Sequence, residues 1–297
     1  MREVTFDSSL QNRLIQYYSP TVHNLIGDAL YLLAKPRETP LADRFVLEAS
    51  SRPDPAPFTL LSRLTDKPQG LEPLDAAAEC LDHMAAGIDT TGDALCFLMW
   101  ELSQPRSLCF QRRLQDELRR ATATAPPVRP GGSVDAAGFD SLPFLNAVVM
   151  EGLRCFPAIP MSLPRYVPRG GRTIEGYHVP EGTIVSCQAY SMHRIDMDVF
   201  PEPDRFNPDR WLKKDGDAER KRLFFAFANG GRSCVGKHLA LAEMKLLLQG
   251  VYSQFTTLPD LSMTPEMMEM SDLLISSRPH GQKCLLQFLP IKQDDRS

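Results

Sequence analysis

One cysteine near the end of the chain has neighbours that suit a thiolate. Cys234 lies in the stretch FAFANGGRSCVGKHLALAEM (225–244), behind two glycines and an arginine and just before an apolar helical pattern. A sulfur atom at the start of a helix faces unpaired backbone N–H groups and the positive end of the helix dipole, and both stabilise its anionic form. Gly230, Gly231 and Gly236 let the backbone fold closely around it. The pattern therefore predicts a functional thiolate at Cys234.

A second unusual segment interrupts the longest predicted helix. The apolar pattern of this helix covers residues 74–102, and its centre holds Gly87 and Gly92 on either side of Asp89 and Thr90. A glycine in a helix interior costs about 0.5 to 1 kcal/mol relative to alanine. Close packing is the ordinary explanation of such residues, whereas local rules broken in mid-helix also favour a site. We therefore keep this segment as a candidate site.

A third candidate is a pair of opposite charges on another predicted helix. Glu151 and Arg154 are one turn apart, and the later stretch PDRFNPDRW (203–211) adds Arg205. A glutamate and an arginine three residues apart are commonly a solvated pair that contributes little to stability. The pair gains significance only together with the arginine-bearing stretch and the cysteine loop, because several unusual features then coincide.

The spacing around Cys234 resembles that of a known family. The pattern F-x-x-G-x-R-x-C-x-G fixes five residue types in ten positions, and average composition produces it by chance on the order of once in ten thousand chains of this size. The matching residues are Phe227, Gly230, Arg232, Cys234 and Gly236. This pattern resembles the cysteine-ligand signature of the haem-thiolate monooxygenases, the cytochromes P450. In that family the cysteine sulfur is the axial ligand of the haem iron and favours O–O cleavage.

The resemblance extends from about residue 58 to residue 288. AAGIDTT (85–91) is similar to the oxygen-activation segment of the family, EGLR (151–154) to its E-x-x-R motif, and PDRFNPDRW (203–211) to its arginine-bearing loop. The three segments occur in the family's order and with roughly its spacing. The strand-like segment 170–185 resembles fungal members that act in secondary metabolism.

The resemblance implies roles at the haem. Cys234 is expected to ligate the iron of haem b, and Asp89 and Thr90 are expected to be catalytic by delivering protons during oxygen activation. Arg232 and Arg165 are expected to pair with the haem propionates, because the arginine fork suits carboxylates. The expected cofactor-binding residues are Phe227, Gly230, Arg232, Cys234, Gly236 and Arg165.

The resemblance also implies supporting residues and substrate contacts. Glu151, Arg154 and Arg205 are expected to form a buried network that supports the cysteine loop. His193 is expected to be a capping or hydrogen-bonded histidine rather than an iron ligand, since the thiolate already fills that position. The residues expected to line a substrate pocket are Ile159, Met161 and Leu274.

The expected fold is mainly α with small β-sheets and corresponds to the C-terminal part of the cytochrome P450 fold. Its parts are the long central helix, the E-x-x-R helix, the cysteine loop, a final helix and a terminal hairpin. Helices are predicted over 8–33 with a break at Pro20, and over 41–50, 74–102, 106–120, 141–156 and 235–252. Strands are predicted over 163–167, 172–179 and 183–188. The hairpin is expected to pair 273–277 with 283–288, and 201–222 is expected to lack regular structure.

The domain expected from this resemblance is a single haem-binding domain over residues 1–288, with a flexible tail at 289–297. The oxygen-activation segment begins before residue 90, whereas in the family it lies well past the middle of a longer chain. We therefore expect the domain to lack the membrane anchor, the first strands and the helices that roof the substrate pocket.

Composition excludes several other functions. A net charge of −4 on 297 residues provides no basic surface for nucleic acid. The seven cysteines are scattered and include no C-x-x-C pair, which argues against a disulfide framework and a structural zinc site. The sequence has no apolar run of signal-peptide or membrane-span type, so an intracellular location without an anchor is expected, although the family implies the endoplasmic reticulum membrane.

Three functions compete. The first is a monooxygenase that inserts one oxygen atom from O2 into an apolar organic substrate, with electrons from NADPH through cytochrome P450 reductase. The second is a catalytically inactive, truncated haem-binding remnant. The third is a haem-thiolate isomerase or dehydratase, which Asp89 and Thr90 disfavour because their expected role is proton delivery to dioxygen. A run of basic residues over 213–237 is expected to face the reductase, with an ordinary solvated charge run as the alternative.

Overall fold

The computed structural model describes residues 15, 19–33, 40–52, 54–66, 70–124, 140–272 and 276–291. The chain divides into two compact units, Met1–Asp89 and Thr90–Ser297. Because this division falls inside the long central helix, the single domain over residues 1–288 stays a prediction.

The regular structure described in the first unit is helical. Its helices are α1 (Pro20–Leu33), α2 (Pro40–Ser50), α3 (Leu60–Thr65) and the first part of α4 (Pro73–Leu102). Pro40 and Pro73 each stand at the first helical position, where the missing N–H group has no helical partner to lose. Thr59 caps α3, since its hydroxyl accepts from the backbone N–H of Ser62 at 3.2 Å.

The second unit contains the rest of α4, further helices and pairs of short antiparallel strands. The helices are α5 (Leu108–Thr124), α6 (Pro143–Cys155), α7 (Ala189–Met192), α8 (Asp217–Leu223) and α9 (Lys237–Tyr252). The strands are β1 (Ser162–Tyr166), β2 (Arg172–Ile174), β3 (Tyr177–Val179), β4 (Ile184–Gln188), β5 (Phe255–Pro259), β6 (Met270–Asp272), β7 (Ser277–Pro279) and β8 (Leu286–Pro290). β1 pairs with β4, β2 with β3, β5 with β8, and β6 with β7. The mainly helical class with small sheets is confirmed.

The core of the second unit lies between α4, α5, α6 and α9. Leu98 of α4, Leu114 of α5, Leu145 of α6 and Leu248 of α9 are each fully buried in this cluster. Gly152 of α6 faces Leu98, and a Cβ atom at that glycine would lie 2.8 Å from the nearest Leu98 methyl carbon. The close approach of α4 and α6 therefore requires glycine at this position, even though it lies inside a helix.

The start of α6 is held by a side chain from another helix. Pro143 occupies the first helical position, and the Glu117 carboxylate of α5 accepts from the N–H groups of Phe144 at 2.9 Å and Leu145 at 2.8 Å. These groups have no partner within their own helix, so the carboxylate satisfies them and complements the helix dipole. The helix that carries Glu151 and Arg154 is thus fixed at its first turn.

Two local predictions are wrong. Among the described residues, the expected pairing of 273–277 with 283–288 is not found: β7 pairs with β6 and β8 pairs with β5, and residues 273–275 lie outside the described ranges. The stretch 201–222 is also more regular than expected, since it contains a 3-10 helix at Pro208–Leu212 and most of α8. β8 ends at Pro290, so it extends two residues into the predicted tail.

Candidate functional site

The loop before α9 presents Cys234 to the surface. A 3-10 turn at Gly230–Arg232 precedes this cysteine, and Gly230 has a φ of 72°, in the left-handed region that favours glycine. The N–H of Cys234 donates to the carbonyl of Phe227 at 2.9 Å and closes the loop. The thiol is exposed and α9 begins at Lys237, so the sulfur stands three residues before the first helical residue.

Two arginines expected at the haem lack competing carboxylates. Within the described ranges, no side chain or carbonyl accepts a hydrogen bond from the Arg232 guanidinium. Arg165 in β1 is exposed and donates to the carbonyl of its neighbour Pro164 at 2.7 Å. A guanidinium without a carboxylate partner is available to an incoming one, which suits the carboxylates of haem.

A cavity of about 580 Å³ adjoins the cysteine loop. Its walls come from the β1–β4 sheet, the β2–β3 hairpin and the first part of the loop, and they include Leu163, Arg165, Val185, Phe225, Ala228 and Asn229. Size, apolar walls and a basic residue are the properties of a cofactor or ligand pocket. Of the residues expected to bind haem, Arg165 lines this cavity, whereas Cys234 and Arg232 do not. The types of group present, an exposed thiol and two arginines without a carboxylate partner, fit a haem that carries two carboxylates.

Two of the three predicted substrate contacts do not line this cavity. Ile159 and Met161 are half-buried in the segment before β1 and are not among the residues of this cavity. Leu274 falls outside the described residues. The three positions therefore stay predictions.

Glu151 lies at the centre of a buried cluster of charges. Its carboxylate and the Arg154 guanidinium are fully buried, and Arg154 binds it in a two-pronged arrangement at 2.9 and 3.0 Å. Arg210 donates to the same carboxylate through Nε at 2.9 Å, and Trp211 through its indole N–H at 2.8 Å. The backbone N–H of Asn207 adds a further bond at 2.9 Å. Five N–H donors therefore compensate one carboxylate that water cannot reach.

The cluster contains two positive charges and one negative charge, so its remaining donors need other acceptors. Backbone carbonyls supply them. Arg154 donates to the carbonyls of Pro203 at 2.7 Å and His193 at 3.1 Å, and Arg210 to that of Pro201 at 3.1 Å. These bonds attach the segment after α7 to α6, because the arginines cannot lose them without leaving buried donors unpaired.

Arg205 does not belong to this cluster, and its prediction as a network member is wrong. Its side chain is largely exposed and pairs with Glu202 at 3.2 Å, while its backbone carbonyl accepts from Arg154 and Arg210. The side chain of Arg210 makes the ion pair with Glu151 that was expected of Arg205. The sequence contained a signal, since PDRF (203–206) and PDRW (208–211) are two copies of the same pattern. Only the second copy places its arginine towards Glu151.

His193 is hydrogen-bonded through both ring nitrogens, in agreement with the expectation that it is not an iron ligand. Nδ1 lies 3.0 Å from the carbonyl of Arg154, and Nε2 accepts from the backbone N–H of Phe225 at 2.8 Å. The ring also stacks on Phe224 at 5.4 Å between centroids. No local sequence pattern indicates that this histidine connects the Glu151 cluster to the cysteine loop.

Asp89 and Thr90 lie at the centre of α4. Asp89 is exposed and Thr90 is half-buried, and the division between the two units falls between them. Among the described residues, no heavy atom lies within 4 Å of the position that a Cβ would take at Gly87 or Gly92. Close packing therefore does not explain these glycines. A catalytic role of Asp89 and Thr90 stays a prediction.

Within the basic run expected to face a reductase, several positive charges are buried or paired with acidic residues rather than free at the surface. Arg220 is buried and donates to the carbonyl of Lys213. Lys221 pairs with Asp217 at 2.7 Å and Arg222 with Glu219 at 2.7 Å, so both charges are compensated within α8.

Every helix in the described ranges is too short or too polar to cross a lipid bilayer.

Comparison with known proteins agrees with this arrangement. The family model described as Cytochrome P450 matches residues 22–285. Cytochrome P450 monooxygenase tazI of Aspergillus terreus is 36% identical over 209 residues, which are 69% of this chain and 40% of that protein. Cytochrome P450 monooxygenase hkm5 of Aspergillus hancockii is 35% identical over 179 residues, 60% of this chain and 34% of that protein.

A mammalian relative matches over a similar share. Cytochrome P450 3A18 of Rattus norvegicus is 31% identical over 198 residues, which are 67% of this chain and 38% of that protein. The chain thus spans about two fifths of the length of the curated relatives it matches. The family model covers most of the chain, and the cysteine loop, the buried Glu151–Arg154 pair and the arginine at position 210 lie within the matched range. The chain belongs to the cytochrome P450 family.

Proposed function

We propose that this chain forms the haem-thiolate part of a cytochrome P450 monooxygenase, with Cys234 as the axial ligand of haem b. The reaction is the insertion of one oxygen atom from O2 into an apolar organic substrate, with electrons from NADPH through cytochrome P450 reductase. Relatives in two Aspergillus species that bear the name monooxygenase support this reaction. A role in fungal secondary metabolism belongs to the same proposal. Attachment at the endoplasmic reticulum membrane, as in the family, belongs to the same proposal.

The observation that carries the proposal is an exposed cysteine on a loop whose base is fixed by a buried cluster. Trp211 donates to Glu151 and meets Phe224 edge-to-face at 5.4 Å between centroids. Phe224 in turn lies 6.5 Å from Phe227, whose carbonyl accepts from Cys234. Rigid support of this kind suits a ligand that must keep one orientation, since precise metal sites depend on the residues behind the ligand.

The residues of the chain have distinct tasks in this proposal. When bound, the haem iron supplies the one-electron and oxygen chemistry. Cys234 provides the anionic sulfur, and Arg165 and Arg232 hold the haem carboxylates and fix its orientation. Asp89 and Thr90 move protons from solvent towards the site of oxygen activation, which suits an exposed carboxylate next to a half-buried hydroxyl.

A carbon monoxide difference spectrum tests the ligand. The chain is prepared with haem, reduced and exposed to carbon monoxide, and the strongly red-shifted Soret band typical of thiolate ligation is expected. Cys234→Ala should abolish this band. Cys109→Ala is a matched control, because this thiol is also exposed and does not line the cavity, and it should leave the band unchanged. An unshifted band in the parent chain contradicts the proposal.

A coupled assay separates the active enzyme from an inactive haem-binding remnant. Thr90→Ala and Asp89→Asn should keep the carbon monoxide spectrum and raise the ratio of NADPH consumed to product formed, because proton delivery is impaired while the ligand is intact. The same ratio in both variants and the parent contradicts the proposed proton delivery. A parent chain with the spectrum but without turnover in the presence of reductase supports the remnant.

A further inference from the structure

His193 occupies a buried position between two parts of the site. It follows α7 directly, and its side chain is fully buried. On one side its Nδ1 lies 3.0 Å from the carbonyl of Arg154 near the end of α6. On the other side its Nε2 accepts from the N–H of Phe225, the first residue of the stretch that leads to Cys234. The imidazole therefore spans the space between the E-x-x-R helix and the base of the cysteine loop.

The contact with Arg154 is reciprocal. The Arg154 side chain donates to the backbone carbonyl of His193 at 3.1 Å, while the ring of His193 contacts the backbone carbonyl of Arg154. Each residue thus uses its side chain to satisfy the main chain of the other. A displacement of either residue breaks both bonds, so the histidine follows the position of the buried charge cluster.

The two partners determine the chemical form of the ring. The carbonyl of Arg154 can only accept and the N–H of Phe225 can only donate, so Nδ1 must carry the proton and Nε2 must be free of it. Burial away from water lowers the pKa of His193 to about 4, which agrees with this neutral form. The ring can therefore accept from Phe225 throughout the neutral pH range.

A short path leads from this hydrogen bond to the cysteine. Phe225 is held by His193, and two residues later the carbonyl of Phe227 accepts from Cys234 at 2.9 Å. The ring of Phe224, which stacks on His193 with an angle of 12° between the planes, lies 6.5 Å from the ring of Phe227. The start of the loop is thus attached to the histidine through both its backbone and its aromatic side chains.

We infer that His193 is a positioning residue for the ligand loop, and that it aligns Cys234 with α6 through its bonds to Arg154 and Phe225. The inference rests on the proposed function only in taking Cys234 as the ligand. The bond to Phe225 is the critical one, because it joins the imidazole to the loop backbone.

Three substitutions separate the two hydrogen bonds. His193→Gln places an amide oxygen near the position of Nε2 and can still accept from Phe225. His193→Asn places an amide nitrogen near the position of Nδ1 and can still donate to Arg154, but it does not reach Phe225. His193→Phe preserves a planar ring against Phe224 and removes both bonds. The glutamine variant is therefore the rescue, and the asparagine variant is its matched control.

Amide hydrogen exchange of the haem-free chain provides the first measurement. In the asparagine and phenylalanine variants, the amides of Phe225 and Cys234 should exchange about tenfold faster than in the parent, since one native hydrogen bond is lost at the base of the loop. The glutamine variant should stay within about threefold of the parent. The amide of Leu145, held by Glu117 at the far end of α6, should be unaffected in each variant that folds.

The carbon monoxide spectrum provides the second measurement. The fraction of haem with the thiolate band should fall in the asparagine and phenylalanine variants and recover in the glutamine variant. Parent-like exchange at Phe225 and Cys234 in the asparagine variant overturns the inference, and so does an unchanged thiolate fraction despite fast exchange. A parent chain that binds no haem contradicts the proposed function, whereas the exchange rates of the haem-free variants still decide the role of His193.

Discussion

The buried cluster around Glu151 and the loop around Cys234 lie in the same unit but satisfy opposite requirements. In the cluster, every carboxylate oxygen and guanidinium group is paired within the protein, and Glu151 and Arg154 are fully buried. In the loop, the thiol is exposed and the arginine two residues before it has no acceptor among the described residues. The cluster is complete without a ligand, whereas the loop presents groups that a ligand can use.

This difference separates stability from chemistry. A buried charge that loses its partner destabilises the fold strongly, whereas an exposed polar side chain contributes little to folding. We therefore expect substitutions in the cluster to act on the free energy of unfolding of the haem-free chain. Substitutions in the loop should act on haem ligation and leave folding almost unchanged.

The largest loss of stability is expected for Glu151→Gln. This change leaves Arg154 and Arg210 without a countercharge and should lower the free energy of unfolding by about 3 to 5 kcal/mol. Urea denaturation of the haem-free chain followed by circular dichroism measures the loss. Glu202→Gln is the control, because its carboxylate is exposed and pairs with exposed Arg205, and it should cost about 0 to 1 kcal/mol. Equal losses of unfolding free energy in the two variants would contradict the view that the buried cluster stabilises the fold more than the exposed pair does.

A second comparison uses the two arginines of the repeated pattern. Arg210→Ala should cost about 3 kcal/mol, because Glu151 loses one of its two ion pairs and the buried carbonyl of Pro201 loses a donor. Arg205→Ala should cost less than about 1 kcal/mol, since its side chain lies at the surface. Urea midpoints of the two variants, measured at the same pH and salt concentration, test the assignment. A larger loss of stability for Arg205→Ala than for Arg210→Ala would support the sequence prediction that Arg205 belongs to the Glu151 network.

The stability of the chain should also depend on His193 at mildly acidic pH. Its pKa falls from the ordinary value of 6.5 to about 4 on folding, with burial as the main cause. The carbonyl of Arg154 raises this pKa, the charges of Arg154 and Arg194 lower it further, and Glu151 opposes them. Between these two pKa values the unfolded chain binds the proton and the folded chain does not. The contribution is therefore fully present above about pH 6.5 and is lost as the pH falls towards 4.

At pH 5 the loss should reach about 2 kcal/mol relative to pH 7.5. Unfolding of the parent and of His193→Gln is measured at both pH values, and the difference between their pH dependences isolates the histidine from the carboxylates. The glutamine variant should lack this part of the dependence. Identical pH dependences in the two chains would show that folding does not exclude the proton from His193.

The smallest effect on folding is expected at the proposed ligand, Cys234. Cys234→Ser should change the free energy of unfolding of the haem-free chain by less than about 0.5 kcal/mol, because the side chain is exposed. Cys155→Ser provides the contrast, since that thiol is buried beside Arg154 and burial raises its pKa. Thermal unfolding of both variants gives the comparison. A strong loss for Cys234→Ser would mean that the loop also carries part of the stability.

The amino-acid sequence by itself determined much of this protein. The spacing of Phe227, Gly230, Arg232, Cys234 and Gly236 predicts the loop that we propose as the ligand loop, because the turn and the thiolate environment need particular residue types at short range. Helical periodicity and proline positions predicted α4, α6 and α9 to within three residues at each end, since both are local properties of the backbone.

Only the tertiary structure decided which groups meet across long distances in the chain. PDRF and PDRW are locally equivalent, and the choice between Arg205 and Arg210 depends on which arginine can be buried against Glu151. The pairing of β8 with β5 and the bridge through His193 likewise join segments that no local pattern connects. Such contacts are selected by burial and by the pairing of every buried donor and acceptor, and these depend on the whole fold rather than on neighbouring residues.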